Sequence, residues 1–556
     1  MAILGFSILG IIGSAFAYFI ATALSGIIWK DSKADGTPKD AWPPSPNGLP
    51  YIWNGLKFLG GSPYEKFTEW STELGVLFSV QLGFKQIIVA NDADLVKELF
   101  VDQQQYNSGK ITGDLVEGAM TDSGHTVFTA PFAEYWRSIR KAIHGTVGKA
   151  HVGQFNELFD SQSRKLVSLL AAKVDESSAN QINPRSVVEY IALTTALSIT
   201  AGKTYNAEDL DLVRIVEDLE EMERLQSAKY TRLAAFFPWL KAALGFKNLI
   251  LGDKDLNNLR SKMLNPFYDM MVETEEKIQE KQPQVSSICA KLLAIESVPG
   301  AVVDGKMSGP VPFKKEQALV NITHITHHAY TYISSALNTL IQRLATEEQV
   351  QEQAYNEIVD MLAGKPVLDF KTKDLVGKMP YLGAVIKESL RMNPPQTLFA
   401  HAARADESFA YKDQVYRIDN RNEIVANLDA IHFDSKRYTT KDGHGPKEFY
   451  PARFLPPHAP KGFSTLSSYD LYTLNSGEDK ARDLSRDHLA FGAGRRICLG
   501  AEVTERTLLS TMVQLLHHYK LSGGDVHSKK HHLTSVYGWT GRTELIGGDI
   551  KFTPRQ

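Results

Sequence analysis

The sequence predicts a mainly α (α+β) protein, a large helical domain with a small β-rich part behind an N-terminal transmembrane helix. Three observations predict it. Stretches with apolar residues at helical spacing fill the middle of the chain, strand-like alternation is confined to the two ends, and Ala2 to Trp29 contains no charged residue.

In chain order, the first element is the run AILGFSILGIIGSAFAYFIATALSGIIW, Ala2 to Trp29. As a helix it is long enough to cross a hydrocarbon core of about 30 Å. It lacks the basic start and the short apolar core, about 7–15 residues, of a cleaved signal peptide. Lys30, Lys33 and Lys39 follow it and only the amino terminus is basic before it. The positive-inside rule therefore leaves the rest of the chain in the cytosol. Residues 1–29 are expected as a single-pass anchor and residues 30–50 as a hinge, stiffened by the prolines of WPPSPNGLP, Trp42 to Pro50. Residues 51–556 form the body.

Within the body, LFSVQLGFKQIIVAN alternates around a turn at Gly83 and predicts two strands. Helices are predicted over Phe155–Val174, Ala207–Ser227 and Leu259–Glu280, and along the run from Phe313 to Leu362. SFAYKDQVYRIDNRNEIVANLD, starting at Ser408, reads as a hairpin. Between helices, LAAFFPWLKAALGF, Leu233 to Phe246, is either an apolar patch that dips into a membrane surface or a buried helix pair broken at Pro238.

Composition narrows the function. With 61 basic and 64 acidic residues the chain lacks the basic excess of a nucleic-acid binder, and no nucleic-acid partner is expected. Its two cysteines, Cys289 and Cys498, are too far apart and too few for a disulfide framework, which fits a reducing compartment. Cys289, in SSICAKLLAI, reads as a small buried apolar residue. Cys498 has a different setting, FGAGRRICLG, Phe491 to Gly500, with three glycines and two arginines. Glycines permit a tight turn that brings backbone N–H groups near sulfur.

Those ten residues match Phe-x-x-Gly-x-Arg-x-Cys-x-Gly at Phe491, Gly494, Arg496, Cys498 and Gly500. Upstream, MPYLGAVIKESLRMNPP puts Glu388 and Arg391 on one helical face, and FYPARF supplies Arg453. Nearer the start, PFAEYWRSIRKAIH places Trp136 and Arg140 one turn apart. In this order the segments resemble the cytochrome P450 family, in its fungal membrane-anchored type, over nearly the whole chain.

The resemblance implies the cytochrome P450 fold, with residues 51–556 as the catalytic domain, and iron protoporphyrin IX (haem b) as cofactor. Cys498 would be the iron ligand, and Phe491 and Gly492–Gly494 would shape the ligand loop. Arg496, Arg140, Trp136 and His401 would hold the haem propionates, with Arg404 the alternative to His401. Glu388, Arg391 and Arg453 would form the buried scaffold behind the loop. The substrate pocket would draw on the loop before Trp136, the Thr323–Thr331 helix face, Gln396–Phe399 and the turn Ser535–Gly541. Partners would be dioxygen, a small-molecule substrate, the endoplasmic reticulum membrane and an NADPH–cytochrome P450 reductase docking on the face behind Cys498.

One segment departs from the pattern. Relatives that cleave dioxygen carry an acid–alcohol pair in the long helix over the haem. Counting back from LATEEQVQ puts His328-Ala329-Tyr330-Thr331-Tyr332 there, with Thr331 at the acid and Tyr332 at the alcohol, and no Asp or Glu occurs from Gln317 to Ala345. Three readings are open. Thr331 serves as the alcohol after a shift of one residue; or Tyr332, Tyr330 or a histidine such as His328 donates the proton; or the enzyme catalyses dehydration, rearrangement or oxidative coupling. His324, His327 and His328 also have helical metal-site spacing, but no third ligand type is near and polar pocket lining is the simpler expectation. The function expected is a haem-thiolate monooxygenase that oxidises a medium-sized metabolite with several polar atoms, in fungal secondary metabolism. The rival from another class is a non-catalytic haem protein that senses a ligand.

Overall fold

The computed structural model describes residues 42–47, 54, 62–82, 85–110, 121–177, 179–205, 210–227, 256–281, 286–299, 302–303, 306–307, 309–369, 371–420, 422–458, 488–527, 529–533 and 541–555. The anchor run Ala2–Trp29, the apolar segment Leu233–Phe246 and most of the turn Ser535–Gly541 lie outside them. Among the described residues no helix is long and apolar enough to cross a membrane.

The chain enters the body through its prolines. Ser79 donates from its backbone N–H to Pro44 O (2.8 Å) and from its hydroxyl to Pro43 O (2.9 Å), so Trp42–Asn47 is tied to the first strand. Helix α1 (Pro63–Leu74) starts with Pro at its first position, where a missing N–H is harmless. Strands β1 (Leu77–Leu82) and β2 (Lys85–Ala90) form the predicted antiparallel pair. Phe67 and Trp70 of α1 pack on Phe78 and Val80 across one face of this sheet.

Helices α2 (Glu134–Val147), α3 (Asn156–Glu176), α4 (Arg185–Thr200), α5 (Leu210–Ser227) and α6 (Leu256–Gln279) lead to α7 (Lys315–Thr346), of 32 residues and about 48 Å. The expected run from Phe313 to Leu362 is two helices. Glu347, at φ −114° and ψ 69°, leaves helical geometry and separates α7 from α8 (Glu348–Leu362). Helix α7 is buried almost all round, against α4 on one side and α9 (Pro380–Met392) and α10 (Ala501–His518) on others, which is why its apolar spacing is not confined to one stripe.

Strand β3 (Leu398–Ala402) follows α9, and β4 (Glu407–Tyr411) with β5 (Gln414–Ile418) is the predicted hairpin. The rest of that segment leaves it. Strand β6 (Glu423–Asn427) crosses to the first sheet, parallel to β2 and antiparallel to β3, giving the order β1-β2-β6-β3. All five of its residues are buried, as befits an inner strand, and period-two alternation cannot show this. The far face of the sheet packs Ile88 and Ile424 with Phe100, Leu489 and Ala493, which seats the cysteine loop against β structure.

Candidate active site

The loop before α10 is shaped by its own backbone. Gly492 and Gly494 have φ of +78° and +66°, and a Cβ on Gly494 would lie 1.9 Å from Phe100 O, so close approach as well as chirality requires glycine there. The Cys498 N–H donates to Phe491 O at 2.9 Å, closing the turn. Burial pushes the Cys498 thiol up, while the N–H groups of Gly500 and Ala501 and the Arg140 charge pull it back. These N–H groups belong to the start of α10, where a helix favours an anion. The sulfur is therefore built to become a thiolate once a metal replaces its proton.

Behind the loop, Glu388 and Arg391 on α9 have fully buried side chains and that of Arg453 is almost so. Arg391 donates to both carboxylate oxygens (2.7 and 2.9 Å), and Arg453 Nε and the Tyr450 N–H add bonds to Oε1 at 2.8 and 3.0 Å. The remaining guanidinium donors reach the carbonyls of His432, Pro446, Tyr438, Gly445 and Glu448. A buried charge cluster is stable only when satisfied in this way. His432 connects it to the loop: Nδ1–H donates to Arg391 O (2.8 Å), and Nε2 accepts from the Leu489 N–H (3.0 Å). Burial, helped by Arg391, pushes its pKa down to about 3, so the ring stays neutral and can both donate and accept.

Cys498 lines a cavity that α7 also lines. On the Cys498 side the lining includes Phe491, Gly492, Ala493 and Arg496, and α2 contributes Trp136 and Arg140. The Arg140 and Arg496 guanidiniums lie 5.2 and 4.9 Å from the Trp136 ring, whose N–H donates to Val127 O at 2.9 Å. Arg140 also donates to Ile497 O, and Arg496 to Ser108 O and Ala130 O. His401 stacks on Phe100 at 4.2 Å and donates from Nδ1 to Asn107 O. Burial, then Lys110 and Arg496, hold it well below the usual histidine range. Arg404 bonds Gln105 O and lies against Phe132 outside the lining, so β3 turns His401 to the cavity in its place.

Sequence reasoning missed Lys110. The bridge Gly109–Ala402 sets it beside His401 and into the lining, with Nζ on Ala400 O at 2.6 Å. Only the pairing of this strand-like segment with β3 could have shown it. Lys110, Arg140 and Arg496 thus bring positive charge to one enclosed space, where Glu423 is the sole carboxylate among the described lining residues. Burial and the neighbouring Arg140 and Arg404 pull the Arg496 pKa down to about 9. Clustered buried cations of this kind call for an anionic occupant. A planar macrocycle with two carboxylates and a central metal fits the set: soft sulfur for the metal, cations at the rim, aromatic and glycine surface between.

On the α7 wall, His324, Ile325, His327, His328, Ala329, Tyr332, Ile333 and Ala336 line the cavity. Thr331 does not. Its hydroxyl donates to His327 O at 2.8 Å within its own helix, and the residue is buried away from the lining. The Thr331 hydroxyl is thus held by its own helix, while its neighbours His327, His328 and Tyr332 line the cavity. His328 is present but is no standing acid. Burial, then His324 and Lys110, push its pKa down to about 3. Val127, Phe128, Thr126 and Thr129 from the loop before α2, with Gln396 and Phe399, line the cavity as expected. Ala196, Ile199 and Thr200 of α4 were not foreseen, because nothing in their local pattern distinguishes a cavity face from a core face.

Residues 43–537 match the cytochrome P450 family. Curated relatives include cytochrome P450 monooxygenase fogE of Aspergillus ruber, 24% identical over 90% of this chain and 84% of its own length. Cytochrome P450 monooxygenase fsoB of Humicola fuscoatra is 23% identical over 91% and 87%, and xanthotoxol synthase of Pastinaca sativa 23% over 86% of each chain. Among solved structures, a zebra fish cytochrome P450 with progesterone superposes at a TM-score of 0.65, with 17% identity, over 89% of this chain and all of that one. The chain that carries Cys498 between a cationic rim and a long helix belongs to the cytochrome P450 family, enzymes whose cofactor is haem.

Proposed function

We propose that this protein is a haem-thiolate monooxygenase that oxidises a medium-sized organic metabolite bearing several polar atoms. The observation that carries the reading is a single cavity that Cys498 and the cationic rim share with a polar helix face. Haem bound there supplies dioxygen activation, with the thiolate favouring O–O cleavage. Cys498 ligates the iron; Lys110, Arg140 and Arg496 balance the propionates, with His401 and Trp136 at the same rim. Phe128, Phe399, Ile325 and Ile333 exclude water around the substrate, and Gln396 and His324 offer it hydrogen bonds. The mixed apolar and polar lining suits a polyketide, terpenoid or peptide-derived metabolite, and the fungal relatives favour secondary metabolism.

Tyr332 is the proton donor we assign to the α7 wall, because its phenol carries an O–H at pH 7 whereas His328 is not protonated there. General acid assistance is worth about 10²–10⁴-fold. Tyr332→Phe should therefore cut product formed per NADPH consumed by about tenfold or more. An unchanged ratio removes the tyrosine from the relay.

The reading includes an anchor at residues 1–29 in the endoplasmic reticulum membrane and a cytosolic catalytic domain over residues 51–556. Electrons would come from an NADPH–cytochrome P450 reductase. Arg137, Arg404 and Arg495 gather around the Phe132 ring at 4.8, 4.9 and 4.7 Å, a basic patch beside the ligand loop for an acidic docking surface. Arg495→Glu should slow reduction by about tenfold at low salt and less at high salt, measured by stopped flow. A rate independent of the substitution moves the docking surface elsewhere.

Membranes containing the protein, incubated with candidate metabolites with and without NADPH and read by mass spectrometry, test the whole reading. A product heavier by one oxygen, formed only with NADPH, is expected. A second reading, dehydration or rearrangement without reductase, draws on the lack of any carboxylate along α7 from Gln317 to Ala345 together with the Thr331 hydroxyl held by its own helix. Product without NADPH would establish it.

A further inference from the structure

We infer that the His328 imidazole is a displaceable sixth ligand of the haem iron, so that the substrate-free enzyme rests self-ligated and substrate must open it. The inference depends on the haem-thiolate reading above. Cys498 lines one wall of the cavity, and His328 lies on the α7 wall, midway along the row His324, His328, Tyr332. These residues succeed one another by one helical turn and share a face. Sulfur and this row therefore line one and the same cavity.

Among the histidines of the cavity, His328 is the one whose surroundings suit coordination. His401 already spends Nδ1 on Asn107 and stacks on Phe100 at the cationic rim. His324 and His327 are more deeply buried in the helix packing. His328 is half-buried, and the surface it retains faces this cavity. Its recorded neighbours are rings: Phe128 at 4.1 Å, Tyr332 at 5.4 Å and His327 at 5.7 Å. No hydrogen bond fixes its ring nitrogens among the described residues. Phe128 and Tyr332 restrict where the ring can turn, which lowers the entropy lost on coordination.

Chemistry favours the same role. Burial above all, then the His324 ring and the Lys110 charge, disfavours the protonated form, so the imidazole keeps its lone pair in the neutral range. A neutral imidazole nitrogen is a good iron ligand, and coordination through it moves no proton. External ligands and substrate would then bind only the open fraction, and their apparent dissociation constants rise by the reciprocal of that fraction.

The test uses the full-length, haem-loaded protein in detergent, as wild type, His328→Ala and His328→Gln. The ferric wild type should show the low-spin absorption and electron paramagnetic resonance spectrum of a thiolate–nitrogen pair. Both variants should turn to a water-ligated or high-spin spectrum. Imidazole should bind the variants at least about tenfold more tightly if the open fraction is about one in ten or less. A water-ligated or high-spin ferric wild type overturns the proposal, and so do variants with wild-type spectra and wild-type imidazole affinity. If neither variant retains haem, wild type labelled with ¹⁵N-histidine decides by the presence or absence of ¹⁵N hyperfine coupling to the iron. Persistence of the thiolate-type carbon-monoxide band in wild type separates failure of this inference from failure of the haem-thiolate reading.

Discussion

Cys498→Ala is expected to abolish the red-shifted Soret band of the reduced, carbon-monoxide-treated protein and to bring product formation to background. The sulfur is the one soft, anion-forming donor among the described cavity residues, and the only other cysteine, Cys289, is a buried core residue. Everything around Cys498 serves that donor: the turn closed on Phe491 O, the N–H groups of Gly500 and Ala501, and the Arg140 charge. Alanine keeps the backbone conformation, since the glycines that need positive φ lie at 492 and 494. The variant should therefore fold, and circular dichroism like that of wild type would confirm it. A variant that retained the red-shifted band, with wild-type haem content, would move the iron ligand to another residue and undo the site.

The second large effect belongs to Glu388. Glu388→Ala leaves Arg391 and Arg453 buried without their carboxylate, and it strands the Tyr450 N–H. Removing one partner of a buried ion pair costs about 3–5 kcal/mol. Total stability is about 5–15 kcal/mol, so this is a large share of it. The loss is transmitted to the ligand loop, because His432 bonds Arg391 on one side and Leu489 on the other. Urea unfolding of the haem-loaded protein should show the lower midpoint, and the haem-to-protein ratio should fall. Glu388→Gln, of equal volume, should recover part of the stability through neutral hydrogen bonds but not the charge balance. If both variants unfolded within about 1 kcal/mol of wild type, the cluster would be a passenger rather than the support of the loop.

Much of the site was legible because its chemistry is local. Phe491, Gly494, Arg496, Cys498 and Gly500 fall within ten residues, and the turn they make follows from glycine sterics and short-range N–H bonds. Glu388 and Arg391 pair across one helical turn, again a local relation. Lys110 and His432 were illegible because their partners lie far off in sequence: Lys110 bonds Ala400 O through a bridge to β3, and His432 spans from α9 to the loop. The surroundings of Thr331 were not legible for a subtler reason. Counting along α7 placed the register, but which of two adjacent residues faces the cavity depends on how the helix is rotated against α4 and α9.

The sequence by itself determined the helical majority, the glycine-framed cysteine loop, the charged trio behind it and the lack of a carboxylate in the middle of α7. These follow from side-chain period and from contacts within a turn or two. Only the tertiary structure decided that β6 is an inner strand of the first sheet, that three cations share one cavity, and that His328 and Tyr332 line it with Cys498. Each of those outcomes is set by how elements distant in sequence pack and rotate against one another, and burial pushes the His328 imidazole they enclose toward its neutral form.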